Sequence, residues 1–272
     1  MSEDDPSGAC FSLPGGARFS LPSDRLLIVN ADDFGFTRDV NAGIVQAHRE
    51  GILTATTLMA NGAAFGDAVR LARETPALDV GAHLVLTGAI LARKTRIHDE
   101  LRAQVEKILA AGIAPTHLDT HKHTHLLPWV LEAVARLGEE YRIPWVRRPF
   151  DFPLGAPGAV PWARRLLSRA MGLGRWNSRR LLLRHGCRST DHFAGFQITG
   201  RFRTRELVAL IGHLPAGITE FMTHPGHCTE ELRAARTRLK ESREEELRAL
   251  TAPETRQALE IHGVRLVRYR DL

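Results

Sequence analysis

The sequence has few cysteines, and the three present (Cys10, Cys187 and Cys228) are scattered and form no C-x-x-C pair. Such spacing excludes a disulfide framework and favours a reducing compartment, so we expect the protein in the cytoplasm. No run of about 18 uncharged apolar residues occurs, which excludes a transmembrane helix. The first ten residues, MSEDDPSGAC, lack the apolar core of a secretory signal, so no signal peptide is expected.

Acidic residues are missing between Phe152 and Thr190, a stretch that contains eight arginines. The formal net charge is +6, but without these eight of its 37 basic residues the chain is near neutral, because it has 31 acidic ones. The basicity therefore belongs to one segment, and we expect no nucleic-acid partner. The arginines are Arg164, Arg165, Arg169, Arg175, Arg179, Arg180, Arg184 and Arg188.

The arginine-rich segment at about 158–188 has helical spacing, with apolar side chains near one face and arginines on the others. One interpretation is a solvated helical excursion from the domain. The other is an interfacial helix over 160–188 that makes peripheral contact with anionic lipid at the inner face of the membrane.

The order of predicted elements indicates a single folded domain over residues 25–272, preceded by a flexible N-terminal extension over 1–24. About eight strand-then-helix units alternate without a domain-breaking linker, which implies parallel strands and a distorted, TIM-type (β/α) barrel-like α/β fold. An open doubly wound sheet is the alternative, but NADDFG follows the first strand in place of a dinucleotide fingerprint. Two details of this prediction are a strand over 143–149 and a long charged helix over roughly 229–250.

The carboxyl ends of the predicted strands carry polar side chains, whereas the strands themselves are apolar. In a (β/α) barrel these ends and the loops after them form one functional face. A lone histidine or aspartate there has ordinary structural explanations, but their joint occurrence on one face favours a site. The residues are Asp32 and Asp33, His83, Asp119, His121, His123 and His125, Arg147 and Arg148, Asp191 and His192, and His224.

Two imidazoles and one carboxylate with open coordination positions suit one divalent metal ion. We expect Zn²⁺ or Mg²⁺ first, with Co²⁺, Ni²⁺ and Mn²⁺ as alternatives. The ion would acidify a water molecule and polarise a carbonyl, a second carboxylate would accept the proton, and a distal histidine would protonate the leaving amine. The residues alone therefore predict a hydrolase of amides or esters.

Five segments resemble the YdjC-like carbohydrate deacetylases of the ChbG/HpnK type. They are LIVNADDFG (27–35), GILTATTLMANG (51–62), VGAHLVLTG (80–88), PTHLDTHKHTHLLP (115–128) and FMTHPG (221–226). They occur in order over nearly the whole folded chain, and NADDFG and HLDTHKHTHLLP are specific. The resemblance implies a barrel-like fold and metal-dependent removal of acetyl from an N-acetylated sugar, such as an N-acetylglucosamine oligosaccharide or a glycolipid.

The resemblance also implies roles for particular residues. Asp33, His83 and His121 would bind the metal, and Asp32 would be the general base. By analogy with the wider sugar-deacetylase mechanism, His224 would be the general acid. One of Arg147 and Arg148 would orient Asp32, and Arg147 is preferred. His125 and Asp119 would support the metal ligands or contact the substrate.

The chain departs from the resemblance after Gly88, where the next predicted helix follows within about ten residues and the family usually carries a longer loop. The substrate's length therefore stays open, as does a homodimeric assembly. Two other functions are kept as alternatives. One is a metal-dependent hydrolase of another ester, amide or phosphoester, and the other is a non-catalytic metal- or anion-binding protein.

Overall fold

The computed structural model of the chain describes residues 24–88, 94–152 and 174–272, with Leu166 between the last two ranges. The predicted extension before Asp24, the loop directly after Gly88 and most of the arginine-rich segment before Gly174 lie outside the described residues. Every helix in the described part is too short or too polar to span a lipid bilayer.

Parallel strands alternate with helices along the chain, as the sequence predicts. The strands are β1 (Arg25–Phe34), β2 (Ala55–Leu58), β3 (Asp79–Leu84), β4 (His117–Thr120), β5 (Trp145–Val146), β6 (His192–Ala194), β7 (Gly217–Thr223) and β8 (Val264–Leu266). The helices are α1 (Arg38–Glu50), α2 (Phe65–Glu74), α3 (Ile97–Ala110), α4 (Pro128–Glu140), α5 (Arg175–Arg184), α6 (Thr204–Gly212), α7 (Glu230–Ala234), α8 (Glu241–Thr251) and α9 (Pro253–Ile261).

Seven of these strands form a curled sheet in the order β5-β4-β3-β2-β1-β7-β6. Its two ends approach each other, because isolated bridges join Trp145 to Arg188 and Asp151 to Phe193. The short β8 lies off this path and pairs with the first residues of β1. This order confirms the barrel-like α/β fold over the open doubly wound sheet, and it gathers the carboxyl ends of the strands on one face.

Strand β1 shows how the sequence separates the barrel interior from the helix layer. Its side chains alternate between faces, so Leu27 and Val29 join the main core against the helices, while Ile28 packs with Trp145 and Tyr269 in a smaller cluster. Further along the same face, Asn30 accepts a hydrogen bond from the ring of His117 at 2.9 Å. The interior facing this strand thus changes from apolar to polar toward the carboxyl ends.

The predicted long charged helix over 229–250 is wrong. The segment forms two helices, α7 and α8, separated by residues 235–240. In this break Leu239 is buried, and Arg236, Thr237 and Arg238 line a cavity at the functional face. Tertiary contacts override the helical propensity of the charged residues here. The predicted strand over 143–149 is also shorter, with only Trp145–Val146 in the ladder.

Candidate metal centre

The two aspartates at the end of β1 face the same site although they are neighbours in a strand. Successive side chains in a regular strand point to opposite faces. Here the pairing register with β2 shifts between Ala31 and Phe34, and Asp33 has a φ of 71°. Aspartate tolerates this left-handed conformation better than most residues do. The resulting bulge brings both carboxylates of Asp32 and Asp33 to one cavity.

Asp33, His83 and His121 come together at this face. Oδ1 of Asp33 lies 3.5 Å from Nε2 of His83 and 3.2 Å from Nδ1 of His121, and the two nitrogens are 3.3 Å apart. This buried oxygen accepts no well-oriented hydrogen bond. Around a four-coordinate zinc ion with bonds of ~2 Å, neighbouring ligand atoms lie about 3.3 Å apart. The three residues therefore fit a divalent ion.

Asp119 lies behind His83 and fixes its ring. Its Oδ1 is 2.6 Å from Nδ1 of His83, and its Oδ2 accepts a hydrogen bond from Thr57. Burial alone would lower the pKa of His83, but the Asp119 carboxylate raises it to about 9. A carboxylate on the far nitrogen is the usual way to orient a metal-binding imidazole. Because Asp119 is fully buried, its position favours the supporting role over substrate contact.

Arg147 joins three buried carboxylates. It donates to both oxygens of Asp32 at 2.7 and 2.8 Å, and it lies 2.6 Å from Oδ2 of Asp119 and 2.6 Å from Oε1 of Glu220. Burial would raise the pKa of Asp32, but the Arg147 guanidinium holds it well below its ordinary value. The Asp32 carboxylate is thus ionised and fixed in orientation. Arg148, the alternative orienting residue, instead donates to the carbonyl of Thr190.

A second group of potential ligands comprises Asp32, His83 and Asp119. It is a weaker candidate for a cation site, because the charged guanidinium of Arg147 contacts both of its carboxylates. In the first group, by contrast, the Oδ1 atom of Asp33 is left free to face the imidazoles.

Arg243 is a buried part of the site that the sequence did not reveal. Its Nη2 donates to Oδ2 of Asp33 at 2.5 Å. Burial would raise the pKa of Asp33, but Arg243 holds it well below its ordinary value. A Cβ on Gly226 would lie 3.2 Å from Cδ of Arg243, so the glycine after His224-Pro225 leaves room for the arginine. Arg243 falls inside the predicted long charged helix, where the sequence pattern does not distinguish it from the other charged residues.

His224 follows β7 and lies beside Asp32. Its Nε2 is 3.9 Å from Oδ2 of Asp32, and its Nδ1 is buried without a hydrogen-bond partner among the described residues. Burial lowers the pKa of His224 to about 4, so the ring is neutral at neutral pH. The buried carboxylate of Glu246 accepts the backbone N–H of His224 at 2.6 Å, which makes it another supporting residue that the sequence did not reveal.

The three histidines of HKHTH have different surroundings. They lie in a short 3-10 segment, His121–Leu126, in which Lys122 and His123 have φ angles of 56° and 53°. His121 joins the candidate ligands and His123 lines the cavity. His125 is buried, its Nδ1 lies 2.6 Å from Oγ1 of Thr120, and burial lowers its pKa to about 4. Its place behind the cavity favours a supporting role.

Asp191 and His192 are not at this site, so their sequence-based placement at the functional face is wrong. His192 begins β6, and its Nε2 lies 3.0 Å from the carbonyl of Ala216 before β7. Asp191 accepts the backbone N–H of Ile218, near the start of β7. Asp191 directly precedes β6 and His192 is its first residue, so both lie at the end of the strand opposite the functional face.

The candidate ligands lie in a cavity of about 460 Å³, within the size range of small-molecule sites. Basic side chains from the 3-10 segment and from the α7–α8 break line it, namely Lys122, Arg236 and Arg238. Apolar side chains also line it, namely Phe36, Phe196, Met222 and Leu239.

The fold and these residues define an α/β-barrel protein with a candidate metal centre at the carboxyl ends of its strands. The chain belongs to the YdjC-like protein family, whose sequence profile matches residues 26–261. The match covers nearly all described elements and agrees with the resemblance found in the motifs.

Two relatives are similar over almost their full length. A carbohydrate deacetylase of Brevibacillus brevis is 37% identical over 270 residues, which covers 90% of this chain and 99% of that protein. A carbohydrate deacetylase of Geobacillus stearothermophilus is 33% identical over 272 residues, covering 91% and 98%. A crystal structure from Enterococcus faecalis V583 shares the fold, with a TM-score of 0.75, 23% identity and coverage of 92% of this chain and 99% of that one.

Proposed function

We propose that the protein is a metal-dependent hydrolase that removes the acetyl group from an N-acetylated sugar, either an N-acetylglucosamine-type oligosaccharide or a glycolipid. The observation that carries this proposal is the meeting of Asp33, His83 and His121 beside the ionised carboxylate of Asp32 in one cavity. The names of the two bacterial relatives support the substrate class.

Asp33, His83 and His121 would hold one divalent ion. Two imidazoles and a carboxylate suit Zn²⁺, while Mg²⁺ prefers oxygen ligands, and Co²⁺, Ni²⁺ and Mn²⁺ are alternatives. When bound, the ion would acidify the attacking water and polarise the acetamide carbonyl. The remaining steps belong to the side chains around it.

Asp32 would accept a proton from the attacking water. Both of its oxygens receive N–H groups of Arg147, so the carboxylate is ionised and cannot rotate away from the cavity. A carboxylate with several donors is a weak base, and it would pass the proton on quickly once the carbon–oxygen bond has formed.

His224 would carry that proton to the leaving nitrogen. Because its ring is neutral before the reaction, it has to gain a proton before it can act as an acid. Oδ2 of Asp32 is the nearest proton source, at 3.9 Å from Nε2 of His224. The amide bond would break as the amine nitrogen takes the proton from His224, and acetate and a free amino sugar would leave.

An acetate-release assay tests the proposal. The purified protein, loaded in turn with Zn²⁺ and Mg²⁺, is incubated with N-acetylglucosamine oligomers and with an N-acetylated glycolipid. We expect acetate and a free amine in equal amounts, and no release after chelation until the ion is returned. Metal-loaded protein that releases no acetate from any of these sugars would contradict the proposal, and release of phosphate from a phosphoester would favour the alternative hydrolase. A cytoplasmic location, supported by the scattered cysteines, is part of the same proposal.

A further inference from the structure

A second cavity lies away from the candidate metal centre, between α5, the segment after β5 and the segment before β6. Its volume is about 240 Å³, and its lining includes three arginines, Arg148, Arg175 and Arg179, together with Trp176 and Asp191. None of the proposed ligands or catalytic residues lines it. The cavity is therefore distinct from the candidate metal centre.

Among the described residues that line this cavity, three guanidinium groups face one carboxylate. Asp191 is the carboxylate in the lining, and its Oδ2 already accepts the backbone N–H of Ile218 at 2.9 Å. The chain from Phe152 to Thr190 contains no aspartate or glutamate, so the neighbouring sequence offers no counter-charge. An anion would supply it.

Arg148 shows the effect of placing three arginines around one cavity. Its Nη2 donates to the carbonyl of Thr190, while its Nε is buried and has no hydrogen-bond partner among the described residues. Burial, together with the charges of Arg175 and Arg179, lowers the pKa of Arg148. A phosphate group, with several acceptor oxygens, would satisfy the free donor and relieve the repulsion.

The surface beside the cavity is apolar as well as basic. Trp176 is 76% exposed and Leu183 is 60% exposed, both on α5. Exposed arginines flank them on the same helix, namely Arg175, Arg179, Arg180 and Arg184. A helix with tryptophan and leucine beside arginines suits the headgroup region of a membrane. Nucleic acid would instead favour several aromatic side chains interleaved with basic ones.

We propose that α5 and the three-arginine cavity bind the surface of an anionic lipid membrane. The phosphate of one headgroup occupies the cavity, and Trp176 and Leu183 enter the boundary between headgroups and acyl chains. This surface would hold the enzyme at a membrane as a peripheral protein.

Vesicle flotation of the full-length, metal-loaded protein tests this proposal. Vesicles of phosphatidylcholine alone are compared with vesicles that also contain phosphatidylglycerol. We expect flotation with the second kind only, and its loss in high salt. The double variant Arg175→Gln/Arg179→Gln should weaken binding about thirty-fold, at about 1 kcal/mol for each arginine. Trp176→Ala should weaken it independently of salt.

The matched control is Arg70→Gln/Arg248→Gln, which removes the same charge from exposed positions on α2 and α8. It should bind vesicles like the wild type, and both double variants should keep the wild-type circular dichroism and metal content. Equal flotation of the two double variants, equal binding to both kinds of vesicle, or no flotation at all would overturn the proposal. Stabilisation by inorganic phosphate without vesicle binding would also overturn it, and would identify a soluble anion as the ligand.

Discussion

Replacement of Arg147 by methionine should destabilise the protein strongly and in a pH-dependent way. The guanidinium contacts Asp32, Asp119 and Glu220, all buried, at distances of 2.6 to 2.8 Å. Removing one partner of a buried ion pair costs about 3–5 kcal/mol, because the other charge stays buried without compensation. Here three carboxylates lose the same partner, so we expect a loss in the free energy of unfolding at the upper end of that range.

The sign of the pH dependence follows from the same contacts. In Arg147→Met, burial should raise the carboxyl pKa values above those of the unfolded chain, so the folded variant binds additional protons. Its stability should therefore increase as the pH falls from 8 to 5. Adding Glu220→Gln should restore part of the loss, because one buried charge is removed.

Urea unfolding at pH 8 and pH 5 measures both effects, with Arg136→Met as the matched control. Arg136 is 61% exposed and pairs with Glu132 on the surface, so its loss should change the unfolding free energy by less than about 0.5 kcal/mol. If Arg147→Met were as stable as this control, or if its deficit were the same at both pH values, the ionic account of the barrel interior would be refuted.

Three further predictions concern the site and its surroundings. Arg243→Gln should weaken metal binding about ten- to a hundred-fold in titration calorimetry, because Asp33 loses its buried partner. The metal affinity should fall less in Arg243→Lys. It should not change in Arg248→Gln, an exposed position on the same helix. Chelation should lower the melting temperature of the wild type, because the ion binds only the folded state, and should leave His121→Ala unchanged. Burial raises the pKa of Asp151 to about 7. As the pH rises from 4 to 7, the wild type should therefore lose stability relative to Asp151→Asn. Parallel pH profiles of the unfolding free energy for the two proteins would count against this shift.

The strand-end principle located most of the site from the sequence. Asp33, His83 and His121 were expected at the ends of different strands, and the parallel order of β1, β3 and β4 brings them within hydrogen-bonding distances. Arg147 and His224 were found by the same principle. Its success depends on apolar strands with abrupt polar ends, which this chain has.

The same principle failed where the backbone departs from regular pairing. Asp191 and His192 follow an irregular segment, and β6 has only three residues. So short a pattern does not show whether a side chain lies at the start or at the end of the strand. Arg243 and Glu246 were hidden in a charged stretch with good helical propensity. Only the tertiary fold shows that the helix breaks at 235–240 and that these two side chains are fully buried.

The central claim is that one aspartate binds the ion while its neighbour takes the proton. Metal content and acetate release, measured on the same metal-reconstituted preparations of the wild type, Asp32→Asn and His121→Ala, test it most directly. We predict that Asp32→Asn keeps the ion and loses acetate release, whereas His121→Ala loses both. An Asp32→Asn protein that still releases acetate at the wild-type rate, or a His121→Ala protein that binds metal as tightly as the wild type, would contradict it.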